Sequence, residues 1–320
     1  MAEPAFKKGG KLVITGALGH IGSRLIHGIR PGEYGEVLLI DNLSTQRYCS
    51  LFNLPKGVPF RFREADICAC DLKKLMAGAN VVLHLAAITD AEGSFDMQKH
   101  VEEVNCSGTR RVAGACADEG CPMIFLSTTS VYGTQKNVVD ENCPKDSLKP
   151  QSPYAESKLK AEQTLDELGH SAGLKYVVCR FGTIYGTSIG MRFHTAVNKF
   201  IWQACMGVPV TVWRTAMDQQ RPYLDLGDAV RAINFILAAG RFDNQLYNVL
   251  TDNASVVDII GAIRKHIPDL EVKLVDSPIM NQLSYRVVCE KFRALGFEFK
   301  GNLDEGVKSA IDLLRQARGR

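Results

Sequence analysis

The stretch over residues 12–22, LVITGALGHIG, constrains the fold of this chain more than any other part of the sequence. An apolar run of strand type ends at Gly16, two more glycines follow at Gly19 and Gly22, and apolar residues then recur at helical spacing. The pattern predicts a strand, a tight turn and a helix. Gly16 would form the turn, Gly19 would let the backbone approach a diphosphate, and Gly22 would let the helix pack closely on the strand. An ordinary strand-to-helix turn is the alternative, because a glycine triplet alone is a weak signal.

A carboxylate after the second predicted strand indicates which dinucleotide would bind. Residues 37–40 are apolar, and Asp41 follows them about twenty residues after the glycines. A carboxylate at this position can accept hydrogen bonds from both ribose hydroxyls of an adenosine and would repel a 2′-phosphate, so NAD is favoured over NADP. Arg47 weakens this preference, since an arginine so close in sequence could pair with a phosphate.

Composition narrows the class of protein. The chain has 320 residues, of which 46% are hydrophobic, and a net charge of +3, which allows a substantial core in one large or two closely packed domains. It has no basic run with interleaved aromatic residues and no apolar segment long enough to cross a bilayer, so neither nucleic-acid binding nor a membrane span is expected.

Ten cysteines are scattered along the chain, and residues 1–11 lack the apolar core of a signal peptide. We therefore expect reduced thiols in a cytoplasmic protein, and no metal site, because Cys68 and Cys70 have no second pair at metal-ligand spacing.

The next two predicted strands end in residues suited to the same ligand. The third, residues 60–63, leads to Asp66, whose carboxylate could accept a hydrogen bond from an adenine amino group. A helix cap is the alternative for Asp66, although Asp71 is better placed for that task. The fourth strand is followed by Ala86 and Ala87, which are small enough to let a dinucleotide lie against the strand end, or simply to pack closely.

A fifth predicted strand is followed by chemistry-bearing side chains. It ends in a hydroxyl-rich run over residues 127–133, which would make a wall for a polyhydroxy ligand or simply a turn. Pro153 then opens a predicted helix, and Tyr154 and Lys158 lie four residues apart on one of its faces. A neighbouring ammonium, helped by an oxidised nicotinamide, would lower the pKa of the tyrosine from its usual value of about 10. Tyr154 could then exchange a proton with a substrate alcohol or ketone while hydride moves to or from the cofactor.

Six motifs, in this order, resemble the extended short-chain dehydrogenase/reductases. They are TGALGHIG (15–22), DN (41–42), HLAA (84–87), STTSVYG (127–133), PYAESK (153–158) and RFGTIYG (180–186). Within that superfamily the chain is most similar to the NAD-dependent sugar-nucleotide epimerase/dehydratase group, and the similarity covers nearly its whole length.

The resemblance implies an α/β fold, a Rossmann-type doubly wound parallel sheet with a smaller C-terminal substrate-binding lobe. Residues 1–182 would form the NAD-binding domain, and residues 222–250 would return to it. Residues 183–221 and 251–320 would form the substrate-binding lobe.

The resemblance also implies a role for individual residues. Thr128, Tyr154 and Lys158 match the catalytic hydroxyl, tyrosine and lysine. Asn105 matches an asparagine that steadies the active-site helix, although a polar residue in mid-helix could simply face solvent. Arg221 matches the arginine that clamps the nucleotide diphosphate, with a solvated loop arginine as the alternative. The expected cofactor contacts are Gly16, Gly19, His20, Ile21, Gly22, Asp41, Asn42, Asp66, Ile67, Leu85, Ala86, Ala87, Asn105, Tyr154, Lys158 and Phe181. The expected substrate contacts are Thr89, Thr128, Thr129, Tyr154, Thr183 and Arg221.

Departures from the family pattern distinguish among its reactions. The dehydratases carry an Asp-Glu pair directly after the catalytic threonine, where this chain has Thr129 and Ser130, and elimination of water needs an acid and a base besides the tyrosine. Decarboxylating members have a glutamate, and double epimerases a cysteine, where Ser130 stands. A 4-epimerase needs only hydride transfer and one acid/base group. Thr183 stands where the family usually has an asparagine, and a threonine reaches less far.

The sequence therefore predicts an NAD-dependent epimerase that inverts C4 of a nucleoside-diphosphate hexose or uronic acid. By the resemblance it would be a homodimer that pairs helices near residues 95–118 and 153–170. An NAD(P)-dependent oxidoreductase, either a 4-ketosugar reductase or a protein like threonine dehydrogenase, is the alternative. A catalytically silent NAD-binding protein is a third reading.

The second half of the chain gives weaker patterns. Residues 191–206 have helical apolar spacing, and Asp228 is expected to cap a helix that runs to Leu237. Residues 246–249 should return to the parallel sheet. A strand over 272–275 and a helix over 303–314 are expected in the smaller lobe.

Overall fold

The structure, a computed structural model, describes residues 9–135, 138–276 and 284–315. Its strands are β1 (Lys11–Thr15), β2 (Glu36–Asp41), β3 (Phe60–Glu64), β4 (Val81–His84), β5 (Met123–Thr128), β6 (Tyr176–Phe181), β7 (Thr183–Tyr185), β8 (Val210–Trp213), β9 (Arg221–Asp225), β10 (Gln245–Val249), β11 (Asp252–Ala254) and β12 (Val272–Val275). Its α-helices are α1 (His20–Ile26), α2 (Leu72–Met76), α3 (Gln98–Val101), α4 (Thr109–Glu119), α5 (Pro153–Ala172), α6 (Ala196–Cys205), α7 (Leu226–Ala239), α8 (Val256–Arg264), α9 (Glu290–Arg293) and α10 (Leu303–Leu314).

The central sheet has seven parallel strands in the order β10-β6-β5-β4-β1-β2-β3. Strands β4, β5 and β6 are buried along their whole length, which explains why they read as continuous apolar runs. Strand order reverses direction between β1 and β4, and ligands of such sheets bind beyond the carboxyl ends of the strands at this point. The arrangement confirms the predicted Rossmann-type fold class.

Two apolar layers cover the faces of this sheet. Because successive side chains of a strand point to opposite faces, Leu12 and Ile14 belong to the layer that includes α1 and α7, whereas Val13 belongs to the layer of α2, α4 and α5. The long helix α5 thus has one face fixed in the core, which sets the position of the residues at its start.

The smaller lobe is built from the remaining strands and from α6, α8 and α10. Strands β11, β9 and β7 form one small sheet, and β12 pairs with β8. The helices share a separate core that includes Ile201, Ile260 and Val307. Residues 246–249 lie in β10 and do return to the main sheet, whereas β9 pairs within the small sheet. The domain boundaries remain a prediction.

Several local predictions need correction. The helix predicted over 95–118 begins at α3 and continues through a π-helical segment, Glu102–Gly108, into α4. The helix predicted over 191–206 starts only at Ala196, because the preceding Thr195 has an extended backbone. The strand over 272–275 and the helix over 303–314 are confirmed by β12 and α10. No helix in the described ranges is long and apolar enough to cross a membrane.

The predicted capping role of Asp228 is wrong. Asp225 caps α7 instead, since its carboxylate accepts from the backbone N–H groups of Gly227 at 2.8 Å and Asp228 at 3.1 Å. Asp228 lies inside the first helical turn, fully buried, and its Oδ2 accepts from Thr251 Oγ1 at 2.7 Å and Gly301 N at 2.9 Å. It therefore ties the C-terminal segment to this helix.

Candidate active site

One cavity of about 460 Å³ lies at the carboxyl ends of β1, β2, β4 and β5 and extends under the smaller lobe. Nineteen predicted site residues line it, namely Gly16, Gly19, His20, Ile21, Gly22, Asp41, Asn42, Asp66, Ile67, Leu85, Ala86, Ala87, Thr89, Thr128, Tyr154, Lys158, Phe181, Thr183 and Arg221. The structure therefore brings the predicted cofactor and substrate contacts into one continuous space. Asn105 and Thr129 do not line it.

The three glycines differ in what surrounds them. Gly16 has a positive φ of 66°, and a Cβ there would lie 2.5 Å from Ala86 N. A Cβ on Gly22 would lie 2.4 Å from Ala17 O, so the turn and helix α1 can close only around glycine. A Cβ on Gly19 would meet just Gly16 O, at 3.3 Å, so its other side is free for a ligand to approach the backbone. These surroundings match the three tasks expected from the sequence.

Two carboxylates beyond β2 and β3 line the cavity. Asp41 accepts from the N–H groups of Leu18 at 3.0 Å and Leu43 at 2.9 Å, one on each oxygen. Since each carboxylate oxygen has two lone pairs, Asp41 can still accept from ribose hydroxyls. Asp66 accepts from Cys68 N at 2.8 Å, a hydrogen bond that lowers the pKa of Asp66 and keeps it ionised. It does not cap α2, a task that Asp71 performs as predicted.

Arg47 and His20 add to the charge and polarity of the cofactor end. Arg47 lines the cavity, where burial lowers its pKa and the charge of Asp41 opposes this shift. His20 Nε2 is buried and has no hydrogen-bond partner within the described ranges. A turn open to a ligand at Gly19, a carboxylate with free lone pairs and an unsatisfied buried nitrogen together fit a dinucleotide.

Thr128 and Tyr154 meet where β5 and α5 come together. Ser152 caps α5 by accepting from Ala155 N at 3.2 Å, and Pro153 takes the first helical position, as predicted. Tyr154 and Thr128 both line the cavity, and the Thr128 hydroxyl, whose Oγ1 accepts from Ser130 N at 3.1 Å, acts against the rise that burial causes in the pKa of Tyr154. A hydroxyl and a phenol are therefore held together at the wall of the cavity.

Lys158 contacts a backbone carbonyl and an aromatic ring. Its Nζ donates to Leu126 O at 2.8 Å and lies 4.7 Å above the Phe125 ring. Burial lowers the pKa of Lys158 to about 8. Burial also raises the pKa of Tyr154, and the groups that oppose this rise are the Arg192 guanidinium and the hydrogen bond to Thr128. Arg192 is therefore a cation that favours the phenolate of Tyr154, in addition to the role predicted for Lys158.

Arg192 is the main residue that sequence reasoning missed. It lines the cavity with His194, and its Nη1 donates to Thr89 Oγ1. Both residues lie on the irregular connection between β7 and α6, where the apolar spacing had predicted a helix. No local pattern marks such a residue, because its place at the site depends on how the connection packs across the molecule.

The two predicted contacts outside the cavity have positioning contacts instead. Asn105 is buried, so it does not face solvent, and its Nδ2 donates to Ser157 Oγ at 2.9 Å and Ile88 O at 2.9 Å while its Oδ1 accepts from Ile88 N at 2.8 Å. It thus joins the loop after β4 to helix α5, as the resemblance implied, and it does not line the cavity. Thr129 Oγ1 donates to Phe181 O at 3.3 Å, which turns it away from the cavity.

Comparison with known proteins gives consistent matches. A model of the NAD dependent epimerase/dehydratase family matches residues 12–249. An uncharacterised UDP-glucose epimerase of Bacillus subtilis (strain 168) is 30% identical over 263 residues, which are 79% of this chain and 81% of that protein. A trifunctional UDP-glucose 4,6-dehydratase/UDP-4-keto-6-deoxy-D-glucose 3,5-epimerase/UDP-4-keto-L-rhamnose-reductase of Arabidopsis thaliana is 29% identical over 94% of this chain, which spans 46% of that longer protein. The crystal structure of UDP-glucuronic acid 4-epimerase from Bacillus cereus, in complex with UDP-glucuronic acid and NAD, is 26% identical and superimposes with a TM-score of 0.85 over 96% of this chain and 99% of that one.

Proposed function

Because this chain belongs to the NAD-dependent epimerase/dehydratase family, we propose that it is an NAD-dependent epimerase that inverts C4 of a nucleoside-diphosphate hexose or uronic acid. The observation that carries the proposal is that Thr128 and Tyr154 line the same cavity as the glycine-rich turn. The positions that follow Thr128 hold Thr129 and Ser130, so the acid and base that a dehydratase needs there are replaced by hydroxyls.

The residues of this chain would handle the proton. Bound NAD supplies a reversible hydride acceptor for the sugar carbon. Tyr154, as phenolate, takes the proton of the C4 hydroxyl, and Thr128 hydrogen-bonds the same oxygen. The flat 4-keto sugar would then turn over within the cavity, and Tyr154 would return the proton to the C4 oxygen as the inverted alcohol forms. One acid/base group therefore serves both half-reactions.

Substrate contacts complete the proposal. Arg221 would pair with the nucleotide diphosphate, a task suited to a planar guanidinium, and Thr183 and Thr89 would contact the sugar. All three residues line the cavity. Arg192 reaches the same end of it through its bond to Thr89.

We also propose a cytoplasmic homodimer. Its interface would be the exposed sides of the helices over residues 98–119 and α5, where the ion pairs Lys160–Glu102 and Arg110–Glu167, each 3.0 Å long, lie on the surface. The cytoplasmic location is supported by the ten cysteines, none of which forms a disulfide in the part of the chain that the structure describes.

The experiment that tests the function identifies both ligand and product. Mass spectrometry of the ligands released from purified, denatured protein should find NAD, and NMR of nucleotide sugars incubated with the protein should find a product of unchanged mass that is inverted at C4. A protein that retains no cofactor and turns over only with added NAD(H), with net oxidation or reduction of substrate, would instead be a dehydrogenase or reductase.

A further inference from the structure

A short segment of the connection between β7 and α6 lies directly on the glycine-rich turn. We call residues 188–190 the latch. Gly190 N donates to Ser23 Oγ at 2.9 Å, Ser188 Oγ and His20 Nδ1 lie 2.7 Å apart, and Cys49 Sγ lies 3.7 Å from Ile189 O. Three consecutive residues that lead into the smaller lobe are thus joined to helix α1 and to the loop after β2.

Gly190 is required for this close approach. A Cβ at this position would lie 2.5 Å from Leu18 O and 2.9 Å from Gly19 O, both of which are backbone atoms of the glycine-rich turn. Backbone atoms cannot rotate away as the end of a side chain can, so any larger residue would separate the latch from the turn. The contact is therefore sensitive to a single methyl group.

Ser188 fixes the imidazole of His20. Burial lowers the pKa of His20 to about 3, so the ring is neutral near pH 7 and carries one N–H. Arg192 and Arg47, which line the same cavity as His20, also act to lower this pKa. If Ser188 donates to Nδ1, the proton of the ring is on Nε2, the atom that is buried without a partner among the described residues.

The surroundings of Nε2 indicate what it would bind. His20 lines the cavity beside Gly19, at the turn that is open to a diphosphate. An N–H donor in a positive environment favours an anionic acceptor. The latch therefore meets the cofactor end of the site, although it lies in the part of the chain predicted to serve the substrate.

We propose that the latch completes the cofactor site: Ser188 orients His20 so that Nε2 donates to the diphosphate of NAD, and the Gly190 contact holds the latch over the turn so that NAD(H) is retained between the two half-reactions. NAD binding follows from the family, and the inference rests on the proposed function only for the use of a retained cofactor. Ser188 and Gly190 are positioning residues in this scheme.

The rate of cofactor release tests whether the latch retains NAD(H). We would compare the wild type with Gly190→Ala, Ser188→Ala and Ser188→Thr in two measurements. The first is the NAD(H) content after purification. The second is the rate at which bound NADH is lost after addition of excess NAD, followed by fluorescence. Gly190→Ala should release NADH at least about tenfold faster, and Ser188→Ala about fivefold faster, as expected for the loss of one or two buried hydrogen bonds. Ser188→Thr keeps the hydroxyl and should restore retention. Gly261→Ala, on an exposed position of α8 with nothing within 4 Å of its Cβ, is the matched control and should behave as wild type.

The outcomes separate the latch from the function. Unchanged release in both Ser188→Ala and Gly190→Ala overturns the latch, whatever reaction the protein performs. Should Gly190→Ala fail to fold, as judged by its melting temperature, Ser188→Ala decides, and the absence of rescue by Ser188→Thr would also count against an orienting hydroxyl. Faster release in a protein that does not epimerise any nucleotide sugar supports the latch and removes the proposed function.

Discussion

The two ends of the cavity are built in different ways. The cofactor end consists of strand ends and one turn, so Gly16, Gly19 and Asp41 reach it by short, regular elements. The end proposed to hold the substrate is assembled from Thr89, Arg192 and Arg221, which come from three loops or strand ends far apart in sequence. A single local pattern thus specifies the first end, whereas the second exists only once the smaller lobe has packed on the sheet.

Tyr154→Phe tests the point where the two ends meet, and it should have the largest effect. Removing the only proposed acid/base group should lower kcat by about 10²–10⁴-fold, measured by NMR of the epimerised sugar. NAD content should stay at the wild-type level, because the phenyl ring keeps the shape of the site. Tyr48→Phe is the matched control, since Tyr48 is exposed and does not line the cavity. A Tyr154→Phe protein with full turnover would remove the proposed mechanism.

Gly22→Ala should damage the cofactor end alone. The added Cβ would lie 2.4 Å from Ala17 O, and overpacking of this kind costs about 1–3 kcal/mol of unfolding free energy. We expect a lower denaturant midpoint and a loss of bound NAD. Gly261→Ala again serves as the control. If Gly22→Ala kept wild-type stability and NAD content, the turn could relax around the added methyl group. That result would contradict the claim that close packing there requires glycine.

The sequence predicted the two ends of the cavity to different extents. The glycine pattern, Asp41 and the Tyr154–Lys158 spacing predicted the fold class and residues that line one cavity, because strand and helix periods fix which side chains share an edge or a face. Lys158 lines the cavity, but its hydrogen bond to Leu126 O was not predicted, since spacing on a helix face does not show which group a long side chain reaches. Arg192 was missed because an irregular connection has no period, and its position depends on contacts between residues far apart in sequence.

Arg192→Gln should change the pH dependence more than the stability. The Arg192 charge lowers the pKa of Tyr154, so its removal should raise that pKa. As the pH falls, the active phenolate would then become protonated at a higher pH than in the wild type. The acid limb of the kcat/KM profile should therefore move upward, by on the order of one pH unit. Arg192→Lys should keep most of the effect, and Arg214→Gln, an exposed arginine outside the cavity, should have none. An unmoved acid limb in Arg192→Gln would leave Lys158 as the cation that controls the tyrosine.

Thr183→Asn should have the smallest effect and should act on the substrate end only. Thr183 lines the cavity at the start of β7, and the longer amide can reach a sugar or phosphate oxygen that the hydroxyl does not. One added hydrogen bond corresponds to at most about a tenfold fall in KM for the nucleotide sugar. NADH release should not change, because β7 ends before the latch begins. Thr215→Asn, at an exposed position outside the cavity, is the control. A change in NADH release without a change in KM would show that this strand belongs to the cofactor end, and that the division between the two ends lies further along the connection.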